Sequence, residues 1–261
     1  MRKFKTILFE VEDEIGVLTI NRPEVLNAMN QQFLDECIAL LADIHSDPKV
    51  RVLIIKGAGD KAFTAGADIN EFVSFDPAEA EKANRKWLAC FDAIEALPLP
   101  VIAEVQGFAP GGGTELSLCC DFVMCTPEAK FALSEINIGV IPGAGAAVRL
   151  TRWMGRLKAK EILMLGEFII GQEAVNVGLA NRCVPNNQLA TETLKLARKL
   201  TTKPTRALAA AKSVVNVASE AAMPVALEAQ LREFLLLFAT EDQKEGMGAF
   251  LEKRKPQFQG R

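Results

Sequence analysis

The sequence predicts a mixed α/β protein that ends in a long helical region. In the first half of the chain, short β-branched runs alternate with segments whose apolar residues recur at helical spacing. From about residue 144 onward, almost every segment has helical spacing. With 261 residues, of which 49% are hydrophobic, the chain is long enough to bury a sizeable core.

Each element of the first half has a local signal. Strands are predicted at 4–13, 15–23, 51–57, 101–105 and 121–125, where β-branched or alternating apolar residues cluster. Helices are predicted at 30–46, 76–97 and 113–120. Asp76 and Pro77 provide the start signal of the second helix, and Pro98 with Pro100 ends it.

The second half is predicted to consist mainly of helices. They are expected at 146–155, 157–165, 173–180, 186–201, 204–221, 224–240 and 241–256, separated mostly by glycine or proline. The change in texture near residue 200 predicts a core region at 1–200 and a helical C-terminal region at 201–261. The run FLLLFA at 234–239 is so apolar that it must pack on the same chain or on a neighbouring subunit.

Composition limits the class of protein. The net charge is −3, which gives no general attraction for nucleic acid. No apolar run approaches the roughly 18 residues that a membrane helix needs, and Glu10 interrupts the first apolar run too early for a secretory signal. The six cysteines form no CxxC pair and lie mostly in apolar runs, so we expect reduced thiols in a cytoplasmic protein.

The chain has one histidine, His45, and no tyrosine. A histidine-based metal site is therefore excluded, and no metal site is expected. A Ser-His or Cys-His nucleophile would have to use His45, near the predicted end of a helix. Acid–base chemistry is expected to fall mainly to Asp, Glu, Lys or Cys.

Two glycine-bearing loops follow predicted strands, KAFTAGADINEF at 61–72 and GFAPGGGTEL at 107–116. Such turns leave backbone N–H groups unpaired at a helix start, and two of them can hold one oxyanion. The alternative is that these glycines only close tight turns. A nucleotide site is not indicated, because IPGAGAAV at 141–148 lacks the third glycine of a dinucleotide motif and no P-loop motif occurs.

Three carboxylates stand in apolar surroundings. Glu115 follows the second glycine loop, Glu135 lies in KFALSEINIG, and Glu104 lies within VIAEV. An acid in such company is paired, locally exposed or held near neutrality by desolvation, as a general acid requires. The alternatives are a helix-start acid for Glu115 and a surface acid for Glu135, and we expect Glu104 to be structural and to point away from the loop.

Together these segments resemble the enoyl-CoA hydratase/isomerase family, also called the crotonase family. The likeness includes LTINRPEVLNAMN, both glycine loops, FALSEINIGVIPGAGAAVRLTRWMG and the closing EGMGAFLEKRKPQF. The GGG-x-E-L and F-A-x-x-E-x-x-x-G-x-x-P patterns, in this order, are specific to the family. The resemblance implies a crotonase-like spiral of β-β-α units with a helical C-terminal region, which would form trimers or dimers of trimers.

The resemblance also implies a chemistry, the addition of water to an α,β-unsaturated acyl-CoA thioester. The thioester oxygen would lie between the N–H groups of Ala67 and Gly112, and Glu115 with Glu135 would hold the water. No cofactor is expected beyond the coenzyme A of the substrate. Which glutamate is the acid, and which the base, stays open.

Residues for substrate and CoA contacts also follow from the resemblance. They are Val25, Leu26, Ala65, Asp68, Ile69, Gly111, Pro142, Gly143 and Lys253. Glu24 stands where hydratases often have a lysine, which argues against a phosphate contact there, and Lys253 is as well explained as a solvated basic residue. Many straight-chain hydratases have smaller and more polar residues at the positions of Ala146, Ala147 and Val148. The acyl group is therefore expected to be unusual in shape, for example branched or alicyclic.

Two further functions stay open at this point. One is another acyl-CoA reaction on the same oxyanion site, such as double-bond isomerisation, hydrolysis or a step on an alicyclic or aromatic acyl group. The other is an RNA-binding member of the same fold, against which the net charge of −3 argues.

Overall fold

The computed structural model describes residues 3–261 and contains a six-stranded sheet. Its strands are β1 (Ile7–Glu12), β2 (Ile15–Ile20), β3 (Val52–Gly57), β4 (Val101–Val105), β6 (Phe122–Cys125) and β9 (Arg182–Cys183), and they lie side by side in that order. β1 and β2 form an antiparallel hairpin, and all other pairings are parallel. Asp13 and Glu14 turn the hairpin with positive φ values, as a tight two-residue turn requires.

A second sheet of three strands was missed by the sequence analysis. It contains β5 (Phe108–Pro110), β7 (Lys130–Ala132) and β8 (Ile169–Ile170). β5 lies at the start of the segment 107–116, before the predicted helix at 113–120, where only a loop is predicted. Its strand conformation depends on pairing with β7, some twenty residues further along the chain. The pattern of apolar residues within three positions does not predict such a contact.

The helices follow the predicted order. They are α1 (Gln31–Ser46), α2 (Pro77–Glu95), α3 (Gly112–Leu118), α4 (Ala146–Leu165), α5 (Gly171–Asn176), α6 (Leu189–Thr201), α7 (Thr205–Glu220), α8 (Met223–Leu237) and α9 (Glu241–Leu251). α4 is interrupted at Gly155, which has φ +76° and ψ 168°, so the two predicted segments 146–155 and 157–165 are confirmed. No helix among residues 3–261 is long and apolar enough to cross a membrane.

Side-chain caps fix the starts of α1 and α2, and the start signal at Asp76 was predicted. The Asp76 side chain accepts the N–H of Glu79, and the Glu79 side chain accepts the N–H of Asp76, which is a complete capping box for α2. The Asn30 side chain accepts the N–H of Phe33 at the start of α1. These bonds satisfy backbone donors that a helix start leaves unpaired.

The two faces of the large sheet are buried separately. Leu53, Ile55 and their neighbours face α1, α2 and α3 in the main core, whereas Val52 and Ile54 belong to a smaller cluster that includes Leu189 of α6. Alternate residues of one strand therefore serve opposite faces, and β3 is apolar on both.

Polar contacts link α7 and the segment before it to the large sheet. The Lys212 ammonium of α7 lies 2.8 Å from the Asp121 carboxylate, which also accepts the N–H of Val101. Arg51 donates to the carbonyl of Lys203, just before α7. The division into regions 1–200 and 201–261 stays a prediction.

Gly107 is a tight point in the connection between the two sheets. Its φ is +60°, and a Cβ placed on it would lie 1.9 Å from the carbonyl oxygen of Lys61. Gly59 also has a positive φ, of +75°, but a Cβ there would meet nothing within 4 Å. A side chain at Gly59 would therefore cause backbone strain alone, whereas one at Gly107 would cause the same strain together with a steric clash.

We expect Gly107→Ala to lower the free energy of unfolding by ~3–5 kcal/mol, because it combines left-handed strain with a backbone clash. Gly59→Ala carries the strain alone and should lower it by ~1–2 kcal/mol. Denaturant unfolding followed by circular dichroism, at one protein concentration, measures the difference. Equal losses in the two variants would contradict the close approach of Lys61 to Gly107.

Candidate active site

The two glycine-bearing loops lie directly against each other. The N–H of Phe63 donates to Gln106 O at 2.8 Å, and the N–H of Phe108 donates to Lys61 O at 3.1 Å. A third bond joins the N–H of Thr64 to Phe108 O. The loops after β3 and β4, which are neighbouring strands, are thus combined into one surface, as the sequence predicted.

The N–H of Ala67 is directed away from its neighbouring segment. Ala67 lies opposite Met29 in a parallel pairing, but the hydrogen bonds are made by the neighbours of Ala67. The N–H of Met29 donates to Gly66 O at 2.7 Å, and the N–H of Asp68 donates to Met29 O at 2.8 Å. In a parallel pairing, the residue between two such bonds turns its own N–H to the opposite side. Within residues 3–261 this N–H has no acceptor.

The N–H of Gly112 borders the same small space. Gly112 is the first residue of α3, so its N–H has no acceptor in a preceding turn. A Cβ on Gly112 would lie 3.5 Å from the Ala67 nitrogen, and a Cβ on Gly66 would lie 3.2 Å from the Gly112 nitrogen. Two unpaired N–H groups from different loops are therefore adjacent.

Two buried side chains bound this space. A Cβ on Gly112 would lie 3.2 Å from the Met29 Cε and 3.3 Å from the Trp87 Cζ3. Trp87, on α2, packs edge-on against Phe91, and its buried Nε1 has no hydrogen-bond partner in the described part of the chain. Any side chain larger than hydrogen at position 112 would fill the gap between the two amides.

Glu115 is only 4% exposed, and its carboxylate contacts a different helix from its own. Its Oε1 accepts the N–H of Ala144 at 2.9 Å and the N–H of Ala146 at 3.1 Å. Ala146 begins α4, so this carboxylate binds the positive end of α4. Glu115 also lies in the first turn of α3, as the helix-start alternative states, while its carboxylate binds the start of α4.

The surroundings of Glu115 raise its pKa into the neutral range. Burial is the main cause that raises the pKa of Glu115 to about 7. The hydrogen bond from Ala146 lowers the pKa, and the negative charge of Glu135 raises it again. Such a carboxyl group both accepts and releases protons near neutral pH.

Glu135 approaches the glycine loop from the other side. It begins a short 3-10 turn, Glu135–Ile138, and is half-buried. Its Oε1 would lie 2.9 Å from a Cβ on Gly111, and its buried Oε2 accepts no hydrogen bond from residues 3–261. Burial raises the pKa of Glu135 as well.

The loop between Glu135 and α4 is held by two side chains that the sequence analysis did not single out. Asn84 of α2 donates through Nδ2 to Gly143 O at 3.0 Å. Arg149 of α4 donates to Ala144 O at 2.8 Å and is paired with Glu95 of α2. An arginine in the apolar start AAVRL was the available signal for Arg149, whereas Asn84 on a polar helix face gave none.

Most of the other residues expected at the CoA site occupy one region. Val25, Leu26 and Ile69 expose apolar side chains there. The N–H of Ala65 donates to Leu26 O at 2.8 Å, which joins the segment after β2 to the first glycine loop. Gly111 lies against Glu135, and Gly143 directly precedes the Ala144 N–H that binds Glu115, whereas Pro142 is buried.

Asp68 and Ala146 are engaged within the protein. The carboxylate of Asp68 is paired with Arg22 at 3.3 Å, so it fixes the loop. Ala146 is fully buried in the core, whereas Val148 is exposed. Of the positions expected at the acyl pocket, Ala146 therefore contributes its N–H to Glu115 and its methyl group to the core.

Lys253, Glu104 and His45 lie outside this group. Lys253 follows the end of α9, and no contact in the described part of the chain joins it to the two loops. Glu104 shares a face of β4 with Ile102, on the side covered by α6, so the expectation that it points away from the loop is confirmed. His45 is exposed in the last turn of α1.

The arrangement has a definite chemical capacity. Two adjacent N–H groups stabilise negative charge that develops on a carbonyl oxygen. Two carboxyl groups with raised pKa values beside them move protons to and from the adjacent atoms. Among residues 3–261, no cluster of three or more His, Cys, Asp or Glu side chains is arranged to hold a metal ion.

Comparison with known proteins gives a consistent result over nearly the whole chain. The crotonyl-CoA hydratase of Syntrophomonas wolfei is 40% identical over 98% of each chain. The short-chain-enoyl-CoA hydratase of Clostridium acetobutylicum is 36% identical over 97% of each chain. The crystal structure of an enoyl-CoA hydratase subunit I from Geobacillus kaustophilus matches with a TM-score of 0.95, at 41% identity and full coverage of both chains.

The family model described as enoyl-CoA hydratase/isomerase matches residues 10–261. The match includes both glycine loops, both glutamates and the C-terminal helices. The expected crotonase-like fold is also confirmed, because the solved structures superimpose along the entire chain. The chain therefore belongs to the enoyl-CoA hydratase/isomerase family.

Proposed function

We propose that this protein is an enoyl-CoA hydratase, which adds water across the α,β-double bond of an acyl-CoA thioester. One observation carries the proposal: two carboxyl groups with raised pKa values adjoin a pair of unpaired backbone N–H groups. The relatives named as crotonyl-CoA and short-chain-enoyl-CoA hydratases support it.

The reaction assigns a task to each group. One carboxylate takes a proton from water as the water oxygen bonds to the β-carbon. The π electrons move to the thioester oxygen, where the N–H groups of Ala67 and Gly112 stabilise the negative charge. The α-carbon then takes a proton from the other carboxyl group or through water. These steps balance with the substrate and water alone, so we propose that coenzyme A, as part of the substrate, is the only cofactor-like group involved.

Product analysis separates hydration from the other reactions of this family. The test is conversion of crotonyl-CoA to a 3-hydroxy thioester, followed as loss of the absorbance of the conjugated thioester. A shifted double bond would indicate isomerisation, and free CoA would indicate hydrolysis. A protein that leaves a panel of enoyl-CoA thioesters of varied chain length and ring structure unhydrated would overturn the proposal.

We also propose that the protein is a homo-oligomer, a trimer or a dimer of trimers, in the cytoplasm. The support is a row of exposed apolar side chains on α8 at helical spacing, with exposed Phe250 and Leu251 at the end of α9. The members of the α8 row are Leu227, Leu231, Phe234, Leu235 and Phe238. Apolar surface of this extent is typical of a subunit contact. The reduced thiols of the six cysteines fit a reducing compartment.

We expect Glu115→Gln and Glu135→Gln each to lower kcat for hydration of crotonyl-CoA by about 10²–10⁴-fold, because an amide does not exchange the proton. Both changes keep the size of the side chain. Glu104→Gln is the matched control, since Glu104 is a buried acid on the other face of the sheet, and it should retain activity. Wild-type rates in both site variants would remove the two-carboxylate mechanism.

Gly112→Ala should lower kcat for hydration about 10²-fold or more, because its methyl group would occupy the gap between the two amides. Steady-state kinetics with crotonyl-CoA measure the loss. Gly59→Ala controls for the general effect of an added methyl group, since its Cβ meets no neighbour. If Gly112→Ala kept full activity, the thioester oxygen would have to bind elsewhere.

Phe234→Glu should dissociate the oligomer, because a charge would be buried in the apolar contact. Analytical ultracentrifugation should show a mass near the 28.4 kDa of one chain, against a multiple of it for the wild type. Lys195→Gln changes the net charge by the same amount at an exposed position of α6, and it should leave the mass of the oligomer unchanged. A monomeric wild-type protein, or an unaltered mass in Phe234→Glu, would contradict the proposed contact.

A further inference from the structure

A single peptide group connects α2 with the Glu115 carboxylate. The carbonyl of Gly143 and the N–H of Ala144 belong to the same planar unit and point in opposite directions. The Asn84 side chain donates to the carbonyl at 3.0 Å, and the N–H donates to Glu115 Oε1 at 2.9 Å. Asn84 thus fixes the rotation of the peptide that binds the acid.

We infer that Asn84 is a positioning residue for the hydration reaction, which holds the Gly143–Ala144 peptide so that its N–H remains on the Glu115 carboxylate. The inference rests on the proposed role of Glu115. It assigns Asn84 an effect on the acid without contact between Asn84 and substrate.

The fit around this peptide is close on the α2 side. A Cβ on Gly143 would lie 2.3 Å from Asn84 Oδ1, so the loop backbone packs directly on the asparagine. The next peptide is held by Arg149, which donates to Ala144 O. The Ala146 N–H, which gives Glu115 its second hydrogen bond, is fixed independently at the start of α4. Of the two donors, only the Ala144 N–H therefore depends on Asn84.

The hydrogen bond from Asn84 to the Gly143 carbonyl also polarises the Gly143–Ala144 peptide group. When the carbonyl oxygen accepts a bond, the N–H of the same unit becomes a better donor. A better donor stabilises the ionised carboxylate of Glu115 and so lowers its pKa. Loss of the Asn84 bond should consequently move the titration of Glu115 to higher pH, whichever proton-transfer role Glu115 has.

The other charges that act on Glu115 are few and are set by separate elements. Glu135, from its 3-10 turn, raises the pKa of Glu115, and Arg149, from α4, lowers it. Asp92 and Glu95, on α2, are paired with Arg149. On α3, Cys119 stays protonated, since burial raises the pKa of its thiol, which donates to the Glu115 carbonyl. None of these contacts involves the Asn84 side chain.

The test uses Asn84→Leu, which keeps the shape of the side chain without a donor, and Asn84→Asp, which keeps the shape but replaces the donor with a negative charge. Arg85→Ala is the matched control on the same helix, because Arg85 is exposed and, among residues 3–261, its ion pair is with Glu81 alone. The pH profile of kcat/KM for crotonyl-CoA gives the functional readout. Infrared difference titration of ¹³C-glutamate protein, with Glu115→Gln as the reference, follows the Glu115 carboxyl itself.

In Asn84→Leu the midpoint of Glu115 should rise by about half a pH unit, with a several-fold lower kcat and an almost unchanged KM. Asn84→Asp should raise the midpoint further, and Arg85→Ala should leave it at the wild-type value. An unchanged midpoint in both Asn84 variants, with circular dichroism like the wild type, would overturn the inference. A raised KM at an unchanged midpoint would also overturn it, since Asn84 would then bind substrate.

The two readouts keep this inference separate from the proposed function. If the wild type hydrated no enoyl-CoA, the proposed function would fail, but the infrared titration would still report whether Asn84 controls Glu115. If hydration occurred and required Glu115, while its midpoint did not respond to Asn84, only the role of Asn84 would fail. Should Asn84→Leu fold poorly, Asn84→Ala, which also removes the donor without adding a charge, provides the same test.

Discussion

The structure depends on one buried contact, the Glu115 carboxylate against the N–H groups of Ala144 and Ala146. This contact joins the helix that follows the glycine loop to the start of α4, and so fixes how the loop from Glu135 to α4 closes over the site. Burial around this contact raises the pKa of Glu115 to about 7, although the two hydrogen bonds themselves lower it. Glu115 therefore supports the structure and, in the proposed mechanism, also transfers a proton, because burial that is unfavourable for an ionised acid raises its pKa.

The paired amides arise from backbone geometry that side chains do not alter. The backbone of Met29 forms hydrogen bonds with Gly66 and Asp68, the neighbours of Ala67, so the Ala67 N–H points to the opposite side. The Gly112 N–H is unpaired because Gly112 is the first residue of α3. Buried Met29 and Trp87 hold the surrounding space at a fixed width. In the proposed reaction the donors would need no rearrangement as charge develops on the thioester oxygen, and fixed donors are the most effective ones.

Much of the fold and the centre of the site could be predicted from the sequence, because their signals are local or specific to the family. Helix caps such as Asp76, the break at Gly155 and the glycine loops are of this kind. The second sheet could not be predicted, because β5 is a strand only through its pairing with β7. The function of Asn84 was equally hidden, since it depends on which carbonyl lies opposite a polar side chain, and that is decided by packing between distant segments.

The three-stranded sheet has a practical consequence for protein engineering. β5 runs directly into Gly111, and it is held by β7, which in turn is held by β8 at residues 169–170. A library of substitutions in β8 would alter the tilt of the glycine loop without touching any reacting group. Directed evolution toward bulkier acyl chains therefore has a second route, through the distant support of the loop instead of through the pocket lining.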